Sequence, residues 1–225
     1  MQPYDVKNIA MVSPVAHAQT KDPAKWDVVN GMEVVVEFAS ADIEQARKKV
    51  LGVTDVSCLE RYGVKGSQAS QWLASRGITI PANSNSWTLC DQKTLVLRLG
   101  SSEFLIEDQL GGVACNKLSS DTTRVAGLYK VPRADAAFIL SGSAVLNLFS
   151  ELCSLDLREK SLRDKDVIMT QVAGISAIVL RQMIGNEPVY RVWCDGTYGP
   201  YLWEVLTEIA VELGGGAVGI GRYQS

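Results

Sequence analysis

The strongest constraint on the fold is that the chain nearly repeats itself. "GVKGSQASQWL" at 63–73 and "FILSGSAVLNLF" at 138–149 each pass from a strand-like stretch, through a Gly-Ser step, into a helix-like one. Gly66-Ser67 is followed by a helical face ending in Trp72-Leu73, and Gly142-Ser143 by one ending in Leu148-Phe149. A "VLR" strand comes next in both cases, at 96–98 and 179–181, and each is followed by a glutamate, Glu103 or Glu187, leading into another strand. The spans from Gly66 to Arg98 and from Gly142 to Arg181 differ by a loop-sized insertion. Such self-similarity marks a duplicated supersecondary unit. It predicts an α+β fold of two related αββ-type halves with antiparallel or mixed sheets.

Periodicity fills in the units. Met32, Val34, Val36 and Phe38 alternate with Glu33 and Glu37, as a half-buried strand requires. A helix capped by Ser40 follows, with Ile43, Ala46 and Val50 on its buried face. The spacing predicts a helix over 68–75 that buries Ala69, Trp72 and Leu73, with Ser67 as its cap and Gly77 as its stop. "PANSNSW" at 81–87 reads as loop, and strands at 94–99 and 103–108 pair across "GSS". Residues 109–123 are poor in aliphatics and place a boundary between halves. The domains read as an irregular arm over 1–27, a first half over 28–115 and a second over 116–225. In the second half, a helix at 144–153 precedes strands within 167–182 and 188–194. A final helix over 198–213 carries Pro200 in its first turn and ends at Gly214.

Composition excludes several functions. With 47% apolar and 21% charged residues over 225, the chain can bury a core. A net charge of -3 provides no basic footprint for nucleic acid, and no apolar run approaches a membrane span. Five scattered cysteines, no C-x-x-C and a single histidine point to reduced thiols in a cytoplasmic protein, with no zinc site. Ala16-His17-Ala18 has the small-x-small look of a cleavage site, but the apolar stretch before it is short and broken by Ser13 and Pro14, against a signal peptide. Gly214-x-Gly216-x-x-Gly219 formally spells a dinucleotide fingerprint, yet it closes a helix instead of opening one. It is read as a helix cap followed by a terminal strand. With His17 alone, a serine or cysteine hydrolase has no base, so Ser67 is a capping residue and not a nucleophile. The aromatic set Tyr190, Trp193, Tyr198, Tyr201 and Trp203 reads as core or subunit interface before it reads as a stacking wall for a planar ligand.

"DVSCLERYGVKGSQASQWL" resembles the opening "D-V-S … G-x-x-A … L" stretch of the folate-binding aminomethyltransferase family, the glycine-cleavage T-protein and its relatives. "LSGSAVLNLFSELCSLDLR", "MTQVAGISAIVLRQ", "YRVWCDGTYGPYLWEVLTEIAVELGG" and "SPVAH" at 13–17 are more similar still to the gamma subunit of heterotetrameric sarcosine oxidase. The resemblance implies two related α+β halves and chemistry in which tetrahydrofolate accepts a one-carbon unit. Catalytic relatives carry paired aspartates before the first "V-x-R" strand. Aligned on Arg98, those places hold Gln92 and Lys93, with Asp91 one position early as the candidate catalytic acid. A lysine where a developing cation needs a carboxylate argues against turnover. The family's "R-T-G-Y-T-G-E-D-G-Y-E" is matched by "RQMIGNEPVYR", so Arg181, Glu187 and Tyr190, with Arg98, are the implied cofactor-binding residues, while Arg191 replaces the last glutamate. The resemblance thus implies a non-catalytic accessory subunit of a folate-linked, amine-oxidising complex, partnered by larger flavoprotein subunits. The alternative is a stand-alone tetrahydrofolate-dependent aminomethyltransferase with Asp91 as its acid.

Overall fold

A computed structural model describes residues 11–20 and 25–223. Contacts divide the chain into two compact units that are interleaved in sequence. Unit 1 holds residues 1–58, 135–162 and 170–225, and unit 2 holds 59–134 and 163–169. Unit 1 begins with β1 (Met11–Val12), α1 (Ala16–Gln19), β2 (Lys25–Val29), β3 (Met32–Glu37), α2 (Ala41–Leu51) and β4 (Gly52–Asp55). The chain then crosses into unit 2 for β5 (Arg61–Lys65), α3 (Ala69–Ser75), β6 (Ser86–Cys90), β7 (Thr94–Arg98), β8 (Glu103–Asp108), α4 (Ala114–Ser120) and β9 (Tyr129–Val131). It returns for β10 (Asp135–Ser141) and α5 (Val145–Leu152), and β11 (Val167–Val172) begins in unit 2 and ends in unit 1. β12 (Ile175–Ile184), β13 (Glu187–Asp195), α6 (Gly199–Glu212) and β14 (Gly216–Ala217) complete unit 1.

The duplication is visible in the sheets. The five-stranded sheet has the order β6-β7-β8-β5-β9, and the six-stranded one β11-β12-β13-β10-β4-β14. Each repeat is therefore β-α-β-β-β, with β5-α3-β6-β7-β8 matched by β10-α5-β11-β12-β13. Register confirms the equivalence: Arg98 lies opposite Phe104 in β7–β8, and Arg181 opposite Tyr190 in β12–β13. The fifth strand of each sheet is exchanged. β4 leads into β5 yet pairs with β10, while β9 leads into β10 yet pairs with β5. That exchange makes the units interleave, whereas a single division at 115/116 falls inside α4 and parts β9 from the sheet it completes.

The Gly-Ser steps serve this exchange. Gly66 has φ +116 and Gly142 φ +105. A Cβ on Gly66 would stand 2.2 Å from the Gly127 carbonyl oxygen, and one on Gly142 would stand 2.5 Å from that of Val50. Those two oxygens accept the amides of Gln68 (3.2 Å) and Ala144 (2.8 Å). Each helix therefore starts on a backbone bond from the residue leading to the exchanged strand. Ser67 is not the cap: α3 starts after Gln68 without a side-chain cap bond. Ser40 does occupy the N-cap position of α2, but its carbonyl, not its hydroxyl, is bonded there.

Unit 2 packs α3 and α4 on one sheet face through Trp72, Leu73, Val96, Phe104, Ile106 and Leu118. In unit 1, Phe138 and Phe38 meet Trp203 of α6 at ring separations of 6.2 and 5.8 Å. Neighbours across antiparallel strands share a sheet face, so Thr54, Ile139 and Arg191 lie together on the other side of β10. Trp193 and Tyr190 are also buried, which bears out core packing for most of the aromatic set, though Tyr198 and Tyr201 are half exposed. The glycine-rich tail forms β14, parallel to β4, after α6 ends.

Three further expectations are corrected. α2 buries Glu44, Lys48 and Leu51, while Ile43 is 50% exposed. Glu44 accepts the amides of Phe38 (2.7 Å) and Gly219 (3.0 Å) and pairs with Arg222 Nε at 2.7 Å, so a fully satisfied carboxylate occupies the inner face. The described part of the arm is packed and ordered by polar contacts. Ser13 Oγ donates to Asp55 Oδ2 at 2.5 Å, and Val15 is fully buried. Residues 1–10 and 21–24 of that arm lie outside the described residues. "PANSNSW" also supplies the start of β6, paired along β7.

Candidate functional site

Asp91, Gln92 and Lys93 connect β6 to β7, and Asp91 and Gln92, with φ of +52 and +58, are the central residues of a turn closed by the Lys93 amide on the Cys90 carbonyl at 3.3 Å. Positive φ at both central residues is the turn geometry that suits the twist of a hairpin, and Asp tolerates it better than most side chains. The turn holds Asp91 and Lys93 in the wall of a cavity of about 270 Å³ in unit 2. Ile78, Val113 and Leu118 supply its apolar surface, and Arg76 and Lys117 add positive charge. Buried Asp108 ties the wall together by accepting from Thr94 Oγ1 and from the Cys115 amide, both at 2.8 Å. Gly112 is required there, since a Cβ would come within 2.7 Å of Asp108 Cβ.

The electrostatics favour binding over nucleophilic chemistry. Arg76 lies 4.7 Å from the Trp72 ring centroid and pairs with Asp121 at 2.8 Å. Hydrogen bonds from Thr123, then from Arg76, hold the Asp121 carboxyl down at about 2. Cys115 lies behind the wall, where burial first and the Asp108 charge second push its thiol well above the ordinary range. It is not an activated thiolate. The cavity thus offers an apolar floor under a rim that is cationic except for Asp91. Among the described residues, no group of three or more His, Cys, Asp or Glu could hold a metal ion, and no helix is long and apolar enough to cross a membrane.

The other candidate residues are engaged with the protein itself. Arg98 donates to the carbonyls of Pro81 (3.2 Å), Ala82 (2.7 Å), Gly100 (3.2 Å) and Ser101 (2.9 Å). In unit 1, Arg181, Glu187 and Tyr190 come from one hairpin, β12–β13. Arg181 pairs with Glu159 at 3.1 Å, and Glu187 with Lys48 at 2.9 Å. The Tyr190 hydroxyl donates to the Leu157 carbonyl at 2.6 Å, and its ring meets Phe149 edge-on at 5.3 Å. Burial, partly offset by the nearby Arg181 charge, raises the Tyr190 pKa. Arg191 is buried beside them and donates to Gln182 at 3.4 Å. Sequence reasoning missed Lys48, which also sits 4.1 Å over the Tyr223 ring. Its only signal was a lysine on a helix face that otherwise had to be buried.

These arrangements bear on the tetrahydrofolate that the sequence resemblance implies. Arg98, Arg181 and Glu187, which the resemblance assigns to the cofactor, have intramolecular partners in the fold. These side chains would have to give up those contacts to hold the cofactor.

No family model matches the chain. It is 25% identical over 226 residues to aminomethyltransferases of Bacillus cereus (strain G9842) and Bacillus anthracis (strain CDC 684 / NRRL 3495), covering 93% of this chain and 61% of theirs. The chain thus spans about three fifths of the length of these curated relatives. Its structure is similar to the glycine cleavage system aminomethyltransferase T of Bartonella henselae, with a TM-score of 0.68 and 14% identity over 93% of this chain and 60% of that one. It is also similar to a chain of the heterotetrameric sarcosine oxidase of Corynebacterium sp. U-96. There the TM-score is 0.63 and the identity 20%, over 80% of this chain and 94% of that one.

Proposed function

We propose that this chain, a member of the folate-binding aminomethyltransferase family by sequence and by fold, is a non-catalytic accessory subunit of a larger amine-oxidising complex. One observation carries the reading. The side chains that the family resemblance assigns to the cofactor are held by the protein's own groups: four carbonyls take the Arg98 donors, and Lys48 takes the Glu187 carboxylate. A group already satisfied by its own fold must lose those contacts before it can bind a ligand, which weakens binding. The likeness to a chain of a heterotetrameric sarcosine oxidase supports a place in a multi-subunit assembly, and the sequence resemblance implies flavoprotein subunits as its partners.

Titration calorimetry with tetrahydrofolate, alongside affinity purification from the native extract, tests the proposal. The expected result is no saturable heat at millimolar ligand, together with co-purification of a flavin-containing chain. Saturable heat with no flavin-bearing partner would favour the second reading, a tetrahydrofolate-dependent aminomethyltransferase. That reading draws on Asp91, a carboxylate in the wall of a cavity with an apolar floor. Its own discriminating variant is Asp91→Asn, which must abolish turnover if Asp91 is the acid.

A further inference from the structure

The cavity of about 270 Å³ in unit 2 is lined by charges that the fold itself does not use. Arg76 is engaged by Asp121, at 2.8 Å, and by the Trp72 ring. Buried Asp108 has both oxygens bonded, one to the Thr94 hydroxyl and the other to the Cys115 amide. Lys93, Lys117 and Asp91, by contrast, have no side-chain hydrogen bond or ion pair among the described residues. The Lys93 ammonium lies along the wall itself, its Nζ 3.7 Å from where a Cβ on Gly111, another lining residue, would stand. Two ammonium groups and one carboxylate thus remain for an occupant, a surplus of one positive charge.

The rest of the lining is apolar, and the cavity is small. Buried Ile78 and Leu118 form its floor, and Val113, in the same lining, is 54% exposed. Pockets for drug-sized molecules span about 300–1,000 Å³, so this one suits a molecule smaller than tetrahydrofolate. An inorganic anion would leave the apolar floor bare, and a neutral apolar molecule would leave both lysines unpaired. A dianion would exceed the single surplus charge and meet the repulsion of Asp91.

We infer that this cavity binds a small organic acid with one carboxylate and an apolar body of about six carbons. The carboxylate pairs with Lys93 and Lys117 through charge-assisted hydrogen bonds, which are stronger than neutral ones. The body covers Ile78, Val113 and Leu118 and takes their apolar surface out of water. Asp91 sets the charge of the ligand by disfavouring a second carboxylate. The inference goes beyond both readings above, since it requires neither a partner subunit nor one-carbon transfer. A flavin-bearing partner can be found or missed whatever the cavity binds, so the two ideas fail separately.

Hexanoate is the probe, titrated into the isotope-labelled full-length chain and followed by its backbone amide shifts. The shifts should saturate with a Kd on the order of 1 mM, as expected for so few atoms, and the largest should fall within 76–78, 91–94 and 111–118. Acetate, which lacks the apolar body, should bind at least about tenfold more weakly. Hexanamide, the neutral isostere, and adipate, the dicarboxylate, should each bind at least about fivefold more weakly. The Lys93→Gln/Lys117→Gln double variant should lose about tenfold in hexanoate affinity with its melting temperature unchanged, because neither ammonium has a partner in the fold. A Lys65→Gln/Lys160→Gln control, exposed but outside the cavity, should change the affinity less than about twofold. No saturable shift, shifts centred elsewhere, equal binding of acetate, or full affinity in the Lys93/Lys117 variant overturns the inference. Displacement of hexanoate by equimolar tetrahydrofolate overturns it in favour of a cofactor site at Asp91.

Discussion

The Val50 carbonyl oxygen lies 2.5 Å from where a Cβ on Gly142 would stand, and the same oxygen accepts the Ala144 amide at 2.8 Å. Gly66 stands in the same relation to Gly127, at 2.2 Å. Each glycine therefore meets two demands, a positive φ and an approach too close for any side chain. Gly77 meets only the first, with φ +77 and nothing within 4 Å of a Cβ. Gly142→Ala and Gly66→Ala should each cost about 2–4 kcal/mol, strain and overpacking together. Gly77→Ala should cost about 1–2 kcal/mol from strain alone. Urea denaturation of the three variants decides the matter, and equal losses at all three sites would refute a role for the exchanged strands in fixing these steps.

Glu44 makes the opposite kind of contribution, through a buried charge. It is fully buried, with its carboxylate between two strand-end amides, the Gly219 amide and Arg222. Removing one member of such a set leaves the others unsatisfied, at a cost of about 3–5 kcal/mol. Glu44→Ala should fall in that range and Glu44→Gln below it, because the amide still accepts hydrogen bonds. Exposed neighbours on the same helix, such as Asp42→Ala, should stay within about 0.5 kcal/mol. Thermal melts of the three variants would contradict this if Glu44→Ala behaved like Asp42→Ala.

Glu44 also shows why the sequence yields some elements and not others. α3, α5 and α6 carry their partners within one apolar face, so period alone found them. On α2 the apolar residues Ile43 and Ala46 face outward, because Glu44 is satisfied by residues near position 220, which no local window contains. The exchange of β4 and β9 was hidden for the same reason. A strand's own residues reveal its faces but not which distant strand it will pair with. β6 was masked because "NSNS" reads as turn until β7 is set beside it. At the candidate site, Asp91 was legible from the resemblance, while Lys48 and the polar group around Arg191 depend on strand register.

Burial sets an alkaline limit on stability. Burial, then the nearby Asp121 charge, pushes the Tyr62 hydroxyl up to about 12, and burial, then Asp135, pushes the Cys194 thiol up to about 12. The ordinary values are about 10 and 8.5. The folded state then holds protons that the unfolded chain releases, so stability is full below the ordinary values and falls as pH rises toward 12. The melting temperature should decline from about pH 9 upward, in line with these shifts. Tyr62→Phe should shrink that decline at no cost near neutrality, since the buried hydroxyl has no hydrogen-bond partner among the described residues. A melting temperature flat to pH 11 would contradict the assignment. All five cysteines are buried, so Ellman's reagent should react with them only after unfolding.

Arg98 and Arg181 occupy equivalent places in the two repeats, and a "VLR" motif cannot distinguish them. Their surroundings do. Arg98 fastens four carbonyls of the loops at 81–82 and 100–101, and it sits 5.7 Å from the Phe104 ring. Hydrogen bonds from a charged donor contribute about 1.5–3 kcal/mol each when they must be replaced by nothing, though water reaches part of this site. Arg181 pairs with Glu159, whose side chain is 75% exposed, and exposed pairs contribute about 0–1 kcal/mol. Arg98→Met should therefore lower stability by about 2–4 kcal/mol, and Arg181→Met by less than about 1 kcal/mol. If Arg181 instead held a ligand in the assembled complex, its loss would leave the free chain's melting curve unchanged and weaken the complex. Melting curves of the free chain and its partner-bound form, measured on the same two variants, separate a loop fastener from a binding residue.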